Sequence, residues 1–236
     1  MTDPMTMSIH CPPDSRELVP AIRCAGRWLI EIHPNTELAA TVAGFIRRRF
    51  FQAYGAEPSL RIPSLLALTS AKGTLLAAVG VRNAALEPLF LEDYLSVPVE
   101  GAMPVSGIER HKIAEIAHLA GVEAGVSRYL FASLSVWLEG AGYEWVVCTG
   151  TGQLNNSFHR MGIATRVLAN ADPARLPDGG AGWGRYYDHH PVVMAIKVAD
   201  SLTALRQAGI LRLIQPALPG EGSDGLEQGG AYGCLA

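Results

Sequence analysis

Hydrophobic and polar positions along this chain change period several times, and each change marks an element. Arg27-Trp-Leu-Ile-Glu-Ile-His33 alternates like a strand. Leu38, Val42, Phe45, Ile46, Phe50 and Ala53 then recur at helical spacing, with Asn35 or Thr36 as the cap and Gly55 as the stop. Two apolar runs, Ser64–Ser70 and Thr74–Arg82, flank the turn Ala71-Lys-Gly73 and predict a hairpin. Glu87–Leu95 reads as a short helical or irregular piece, and Pro98 and Pro104 hold an extended connection after it. His111–Ala120 is a strand, Val126–Glu139 a helix with Val126, Leu130, Leu134, Trp137 and Leu138 on one face, and Tyr143–Thr149 a buried strand. A helix over Leu154–Met161, a strand over Ala164–Leu168, a Pro/Gly-rich loop over 172–184, a strand over Pro191–Val198 and a helix over Leu202–Leu211 complete the order.

Strands interleaved with helices predict one α/β sheet with helices on both faces. The expected division is a flexible N-terminal arm over residues 1–25, one domain over 26–212 and a disordered Gly-rich tail over 213–236. Composition supports a real core: 49% of the 236 residues are hydrophobic and 17% are charged. The net charge of −3 offers no basic stripe for nucleic acid, and Arg47-Arg48-Arg49 reads as the solvated face of a helix. Cys11, Cys24, Cys148 and Cys234 have neither zinc-site nor disulfide-framework spacing. The first twenty residues lack the basic and apolar regions of a secretory signal, and no apolar run reaches bilayer length. The expectation is a cytoplasmic protein without a transmembrane segment. His189-His190 has no surrounding ligand set, so no metal is expected.

Candidate chemistry centres on residues 111–163. Glu115 is a carboxylate in an apolar strand, and the turn Gly121-Val-Glu-Ala-Gly125 opens the next helix. Free N–H groups at a helix N-terminus make an anion cradle, so the pairing suggests transfer of a group from a phosphate-bearing donor. Glu115 is either a base of raised pKa or half of a buried salt bridge with Arg82 or Arg110. His118 falls on the opposite strand face unless a β-bulge intervenes, and is otherwise a core histidine. Arg82, Asn83, Asp93 and Glu100 form a polar set that either holds an acceptor or caps and pairs at the surface. Thr149, Gly150 and Thr151 end a strand where open α/β sheets bind ligands, or else cap the helix that follows. Trp183, Tyr186 and Tyr187 line a pocket or form a satellite hydrophobic cluster.

Leu89–Glu100, Arg110, Glu115-Ile-Ala-His-Leu-Ala120, Thr149-Gly-Thr151, Phe158, Asp172-Pro173, Trp183–Tyr187 and Pro191–Met194 together resemble the thermostable haemolysin family over roughly residues 27 to 198. Ala117 and His118 depart from the Gly and Asn expected there. The family name implies membrane lysis. The element order resembles the GNAT acyltransferase fold and its acyl-homoserine-lactone-synthase branch, which implies a mixed sheet splayed at its centre. By that resemblance a CoA or acyl-carrier-protein thioester is the co-substrate, and a small-molecule amine or hydroxyl is the acceptor. A non-catalytic acyl-binding protein is the remaining alternative.

The resemblance also distributes roles. Glu115 and His118 become catalytic. The donor falls to Leu119, Ala120, Gly121, Gly125, Val126, Ser127, Arg128, Asn155 and His159. The acceptor falls to Arg82, Asn83, Asp93, Glu100, Arg110, Thr149 and Thr151. Glu123 in the phosphate turn disfavours a pyrophosphate, and Phe158 stands where the fold often has a proton-donating Tyr.

Overall fold

A computed structural model describes residues 18–60, 64–122 and 125–216. The strands are β1 (Leu18–Cys24), β2 (Arg27–Ile32), β3 (Ser64–Ser70), β4 (Leu75–Asn83), β5 (Ile113–Gly121), β6 (Trp145–Gly150), β7 (Arg166–Asn170), β8 (Val192–Lys197) and β9 (Ile214–Pro216). The helices are α1 (Glu37–Tyr54), α2 (Val99–Ala102), α3 (Val126–Gly140), α4 (Gly152–Arg160) and α5 (Val198–Gln207). Thr36 caps α1 by accepting from the Ala39 N–H at 3.0 Å, and Gly55 closes it in the left-handed conformation. The apolar stripe of α1 is buried through Phe50, whereas Ala53 is exposed.

The strands form one sheet in the order β7-β8-β6-β5-β4-β3-β2-β1-β9. Neighbours are antiparallel except β5 and β6, which run parallel. One apolar core lies on the α1 face, where Val42, Phe45 and Ile46 meet Ile30, Ile32 and Ala67. The other lies on the opposite face, where Leu130 and Leu134 of α3 and Leu202 and Leu205 of α5 cover Leu29, Leu66 and Leu68. Mixed α/β architecture with helices on both faces is therefore what the chain adopts.

Two edges differ from the sequence reading. Leu18–Cys24, assigned to the arm, is a strand paired with β2, and Ile22 and Cys24 are buried. Ile214–Pro216, assigned to the tail, adds β9 outside β1. β1 carries Pro20 within its seven residues, which demotes a strand pattern, and β9 is only three residues long and includes Pro216. Residues 1–17 and 217–236, where the rest of the arm and tail are expected, lie outside the described residues.

The sheet opens at its middle. β5 and β6 are paired only from Ile113–Trp145 to Ile116–Cys148, although β5 continues to Gly121 and β6 to Gly150. In the same stretch β5 carries a bulge against β4: Ala117 faces Gly80 and Ala120 faces Ala78, so His118 and Leu119 share the place opposite Val79. An extra residue bends and twists a strand locally, which turns β5 away from β6.

The loop between β7 and β8 is tied to the end of α1. The Arg185 N–H donates to Tyr54 O at 2.8 Å, and the Glu57 N–H to Gly182 O at 2.6 Å. Gly184 has φ +52°, and a Cβ there would overlap the Tyr54 carbonyl oxygen. Gly184→Ala is expected to cost about 2 kcal/mol, lowering Tm by about 5 °C in thermal unfolding. An unchanged Tm would show that the loop does not rest on α1.

Candidate active site

Where β5 and β6 part, a cavity of about 570 Å³ opens on the α1 face. Glu115 and His118 form its back wall, Gly125 and Ser127 at the start of α3 form one end, and Phe50, Phe90 and Trp183 close the side. Ile116, His118, Leu119, Phe131, Thr149 and Leu154 line this cavity and also a smaller apolar one of about 50 Å³. That second cavity lies under α3 and α5, among Leu138, Cys148, Phe158 and Ile196. These shared residues place the two cavities next to each other at the gap between the strands.

Glu115 is almost wholly buried, and both of its oxygens are engaged. Oε2 accepts from the Phe90 N–H and Oε1 from the Leu91 N–H, each at 2.9 Å, and Arg82 Nη1 lies 3.4 Å from Oε2. Burial raises its pKa, against the pull of the two N–H groups and Arg82. The salt bridge with Arg82 is formed, not one with Arg110. The carboxylate fastens the Phe90–Tyr94 turn to β5 while still facing the cavity.

His118 is the group that sequence periodicity misplaces. The bulge brings it to the Glu115 face, and its φ of +55° is a left-handed conformation that His, Asn and Asp tolerate better than most residues. Its ring lies nearly parallel to Trp183, with centroids 5.9 Å apart and 19° between planes. Both ring nitrogens are buried and make no hydrogen bond to a described residue. Burial, reinforced by Arg82, pushes the pKa down to about 4, so the imidazole is neutral at pH 7. Unsatisfied buried polar atoms cost about 1–3 kcal/mol each, and native proteins keep few of them.

The donor-side residues separate into those that face the cleft and those that do not. Leu119, Ala120, Gly121, Gly125 and Ser127 line it. Val126 is buried beneath, in the α3-side core. α3 begins at Gly125 without a side-chain cap, so first-turn N–H groups are left for a ligand or water. Arg128 is exposed and does not line the cavity. Positive charge comes instead from Arg49 of α1, whose Nη2 donates to Val122 O at 3.1 Å, and from Arg160 of α4. Arg49 is thus a cleft residue rather than part of a solvated face. On α4 the cleft face is Gln153, Leu154, Ser157 and Arg160. Asn155 and His159 sit elsewhere on that helix, gathered around Thr165 Oγ1 at 2.7 and 3.3 Å. Phe158 points into the smaller apolar cavity, its ring 4.7 Å from Phe131. Glu123 lies outside the described residues.

Most of the expected acceptor set lies away from this cavity, in ion pairs and hydrogen bonds with neighbouring segments. Arg110 holds Glu92 through both guanidinium nitrogens at 2.7 and 3.1 Å, Glu100 at 2.5 Å and the Ala84 carbonyl at 2.8 Å. Those hydrogen bonds, Glu92's first, raise its pKa further and fix the connection into β5. Asn83 donates to Tyr143 Oη, and Asp93 is exposed. Arg82 serves Glu115 and Glu87. None of these lines the large cavity, whereas Thr149 and Thr151 do, and Thr149 Oγ1 is buried without a hydrogen-bond partner. Among the described residues no group of three His, Cys, Asp or Glu could hold a metal, and no helix is long and apolar enough to cross a membrane.

A model of the family described as thermostable hemolysin matches residues 32–202. A search of curated proteins finds no significant match. Among solved structures, TofI in an apo form superposes with a TM-score of 0.55 at 14% identity, covering 76% of this chain and 95% of its own. The CoA-dependent acyl-homoserine lactone synthase BjaI, with SAM and isopentyl-CoA, gives 0.51 at 14%, covering 89% and 98%. FeeM, an N-acyl amino acid synthase from uncultured soil microbes, gives 0.52 at 14%, covering 83% and 98%. The fold is the one these synthases share.

Two stability measurements follow. An unfolded chain protonates residue 118 near pH 6.5, whereas the folded one does so only near 4, so His118 lowers stability progressively as pH falls through that window, by about 3 kcal/mol in all. His118→Asn keeps a residue suited to φ +55° and should lose less stability than wild type between pH 7 and pH 4, read from urea midpoints. Equal losses would refute the low pKa. Glu115→Gln sets an amide NH₂ against the Phe90 or Leu91 N–H and removes a buried carboxylate from Arg82. It should cost about 3 kcal/mol in the same urea titration at pH 7, and a loss below about 1 kcal/mol would remove the anchoring role.

Proposed function

The chain belongs to the thermostable hemolysin family, and from the open sheet, in a fold it shares with an acyl-homoserine lactone synthase and an N-acyl amino acid synthase, we propose that it is an acyltransferase. It moves an acyl group, a fatty one, from a CoA or acyl-carrier-protein thioester to an amine or hydroxyl acceptor. The observation that carries this reading is the parting of β5 and β6 beside a buried imidazole that lacks partners. A thioester needs a slot through which its pantetheine and acyl arms leave in different directions, and the two cavities that adjoin at the gap offer a place for one. The apolar cavity among Leu138, Phe158 and Ile196 suits the acyl chain. The uncapped start of α3, with Arg49 and Arg160 nearby, suits the donor phosphates.

In this reading the acceptor nitrogen or oxygen attacks the thioester carbonyl and forms the new C–N or C–O bond. Neutral His118 takes the proton that the nucleophile sheds. The C–S bond breaks, and the imidazolium returns that proton to the departing thiolate. Thr149 Oγ1, also without a partner, is available to donate to the carbonyl oxygen as charge develops there. Glu115 acts at one remove by holding the Phe90–Tyr94 turn. The synthase structures support the reading through the substrates named for them, a CoA thioester and SAM bound to BjaI.

The test is release of CoA thiol from an acyl-CoA series by the purified full chain, supplied with mixed amines and alcohols. His118→Asn should lower kcat by about 10²–10⁴-fold, with KM for the acyl-CoA nearly unchanged. Arg160→Ala should do the reverse and raise that KM. Absence of acyl-CoA and acyl-carrier-protein binding, together with lysis of protein-free liposomes, would overturn the acyltransferase reading in favour of membrane lysis.

A further inference from the structure

The acceptor side of the cleft is built almost entirely from rings. Phe50 and Tyr54 come from α1, Phe90 from the turn that Glu115 holds, His118 from the bulge, and Trp183 and Tyr186 from the loop after β7. Trp183 lies within 6.0 Å, centroid to centroid, of Phe50, Phe90, His118 and Tyr186. The described charged residues that line the whole cavity are Arg49, Glu115 and Arg160. Glu115 has both oxygens occupied by backbone N–H groups. Arg49 donates to the Val122 carbonyl before α3, and Arg160 to Ser157 of its own helix α4, so neither guanidinium is bonded to a ring of this wall. An acceptor carboxylate in the ring-lined part therefore has no guanidinium bonded to those rings to pair with, although a cation could still meet the ring faces.

Resting on the acyltransferase reading, we infer that the acceptor is an arylalkyl monoamine: a flat aromatic body carrying one primary amine and no acidic group. A flat ring gains dispersion and edge-to-face contact against Trp183, Phe50 and Phe90. An amino-acid carboxylate in the same place would lose its water with only one imidazole N–H and the Thr149 hydroxyl, among the described unpartnered side chains, to replace it, fewer donors than its roughly four acceptor sites call for. Enclosure by rings also favours the uncharged amine, which is the nucleophilic form. Among the described residues the two His118 nitrogens, one donor and one acceptor when neutral, lack a partner, as does Thr149 Oγ1 on the same cavity, and the His118 pair matches a single N–H₂. In the reaction the amine nitrogen forms the amide bond, the thioester C–S bond breaks, and the amine proton passes by way of His118 to the released thiol.

Phenethylamine, phenylalanine and SAM are compared as ligands of the full chain, first by calorimetric titration and then by thiol release from octanoyl-CoA. Phenethylamine should bind saturably, and its kcat/KM should exceed that of phenylalanine and of SAM by about 100-fold or more. Trp183→Leu and Phe90→Leu should each raise KM for phenethylamine about tenfold while leaving KM for octanoyl-CoA within twofold. Two substitutions are used because either alone can disturb folding. If phenylalanine or SAM equals or exceeds phenethylamine, the inference fails. If octanoyl-CoA binds and is cleaved but phenethylamine neither binds nor accelerates cleavage, the inference fails while the acyltransferase reading stands. If no acyl donor binds, that reading fails, and phenethylamine binding that Trp183→Leu abolishes would still sustain the ring-lined site.

Discussion

One missing stretch of hydrogen-bond ladder governs this protein. β5 and β6 pair as parallel strands for four residues and then separate, while β6 keeps its antiparallel pairing with β8 to Gly150. The bulge at His118 and Leu119 accounts for the separation, since it re-aims β5 while leaving the pairs with β4 intact on either side. A single backbone irregularity thus creates the opening, reverses which face residue 118 presents and leaves one edge of β5 without a neighbouring strand.

Two polar residues on that strand divide the work. Glu115 lies before the bulge, where the ladder is intact, and spends its hydrogen-bonding capacity on Phe90, Leu91 and Arg82. It lets the chain bury a carboxylate without a bare charge, and so fixes the turn that carries Phe90. His118 lies within the bulge, and none of the described residues satisfies its nitrogens. The satisfied group gives rigidity, while the unsatisfied one retains binding capacity.

The fold was largely legible in the sequence because its elements hold their pattern long enough. The stripe of α1 keeps helical spacing over several turns, and the strands of the 64–83 hairpin and β6 are six or more residues long with near-continuous apolar runs. The site was legible only in part. The Glu115–His118 stretch and the turn before α3 were identifiable, but a bulge has no periodic signature, so the face of His118 was not. On α4 the choice fell on the residues with the most familiar chemistry, Asn155 and His159. The face was set instead by Phe158, which must be buried and so turns Gln153, Ser157 and Arg160 toward the cleft. Arg49 was read from its charged neighbours Arg47 and Arg48, yet on a helix it sits beside Phe50 at the edge of the buried stripe. Conversely Arg82, Arg110 and Glu100 looked like binding groups because charge clusters by itself carry no information about which partner is nearer.

The loop bearing Trp183 and Tyr186 is held to α1 by main-chain groups, through the carbonyls of Tyr54 and Gly182 and the close approach of Gly184. Such attachment does not depend on what the neighbouring side chains are. Related chains can therefore re-tile this wall one ring at a time, enlarging it, narrowing it or making it polar, while its distance from β5 stays the same. Diversification of what is recognised is thereby uncoupled from the machinery behind it, and a lineage built on this plan can change its small-molecule partner without rebuilding its scaffold.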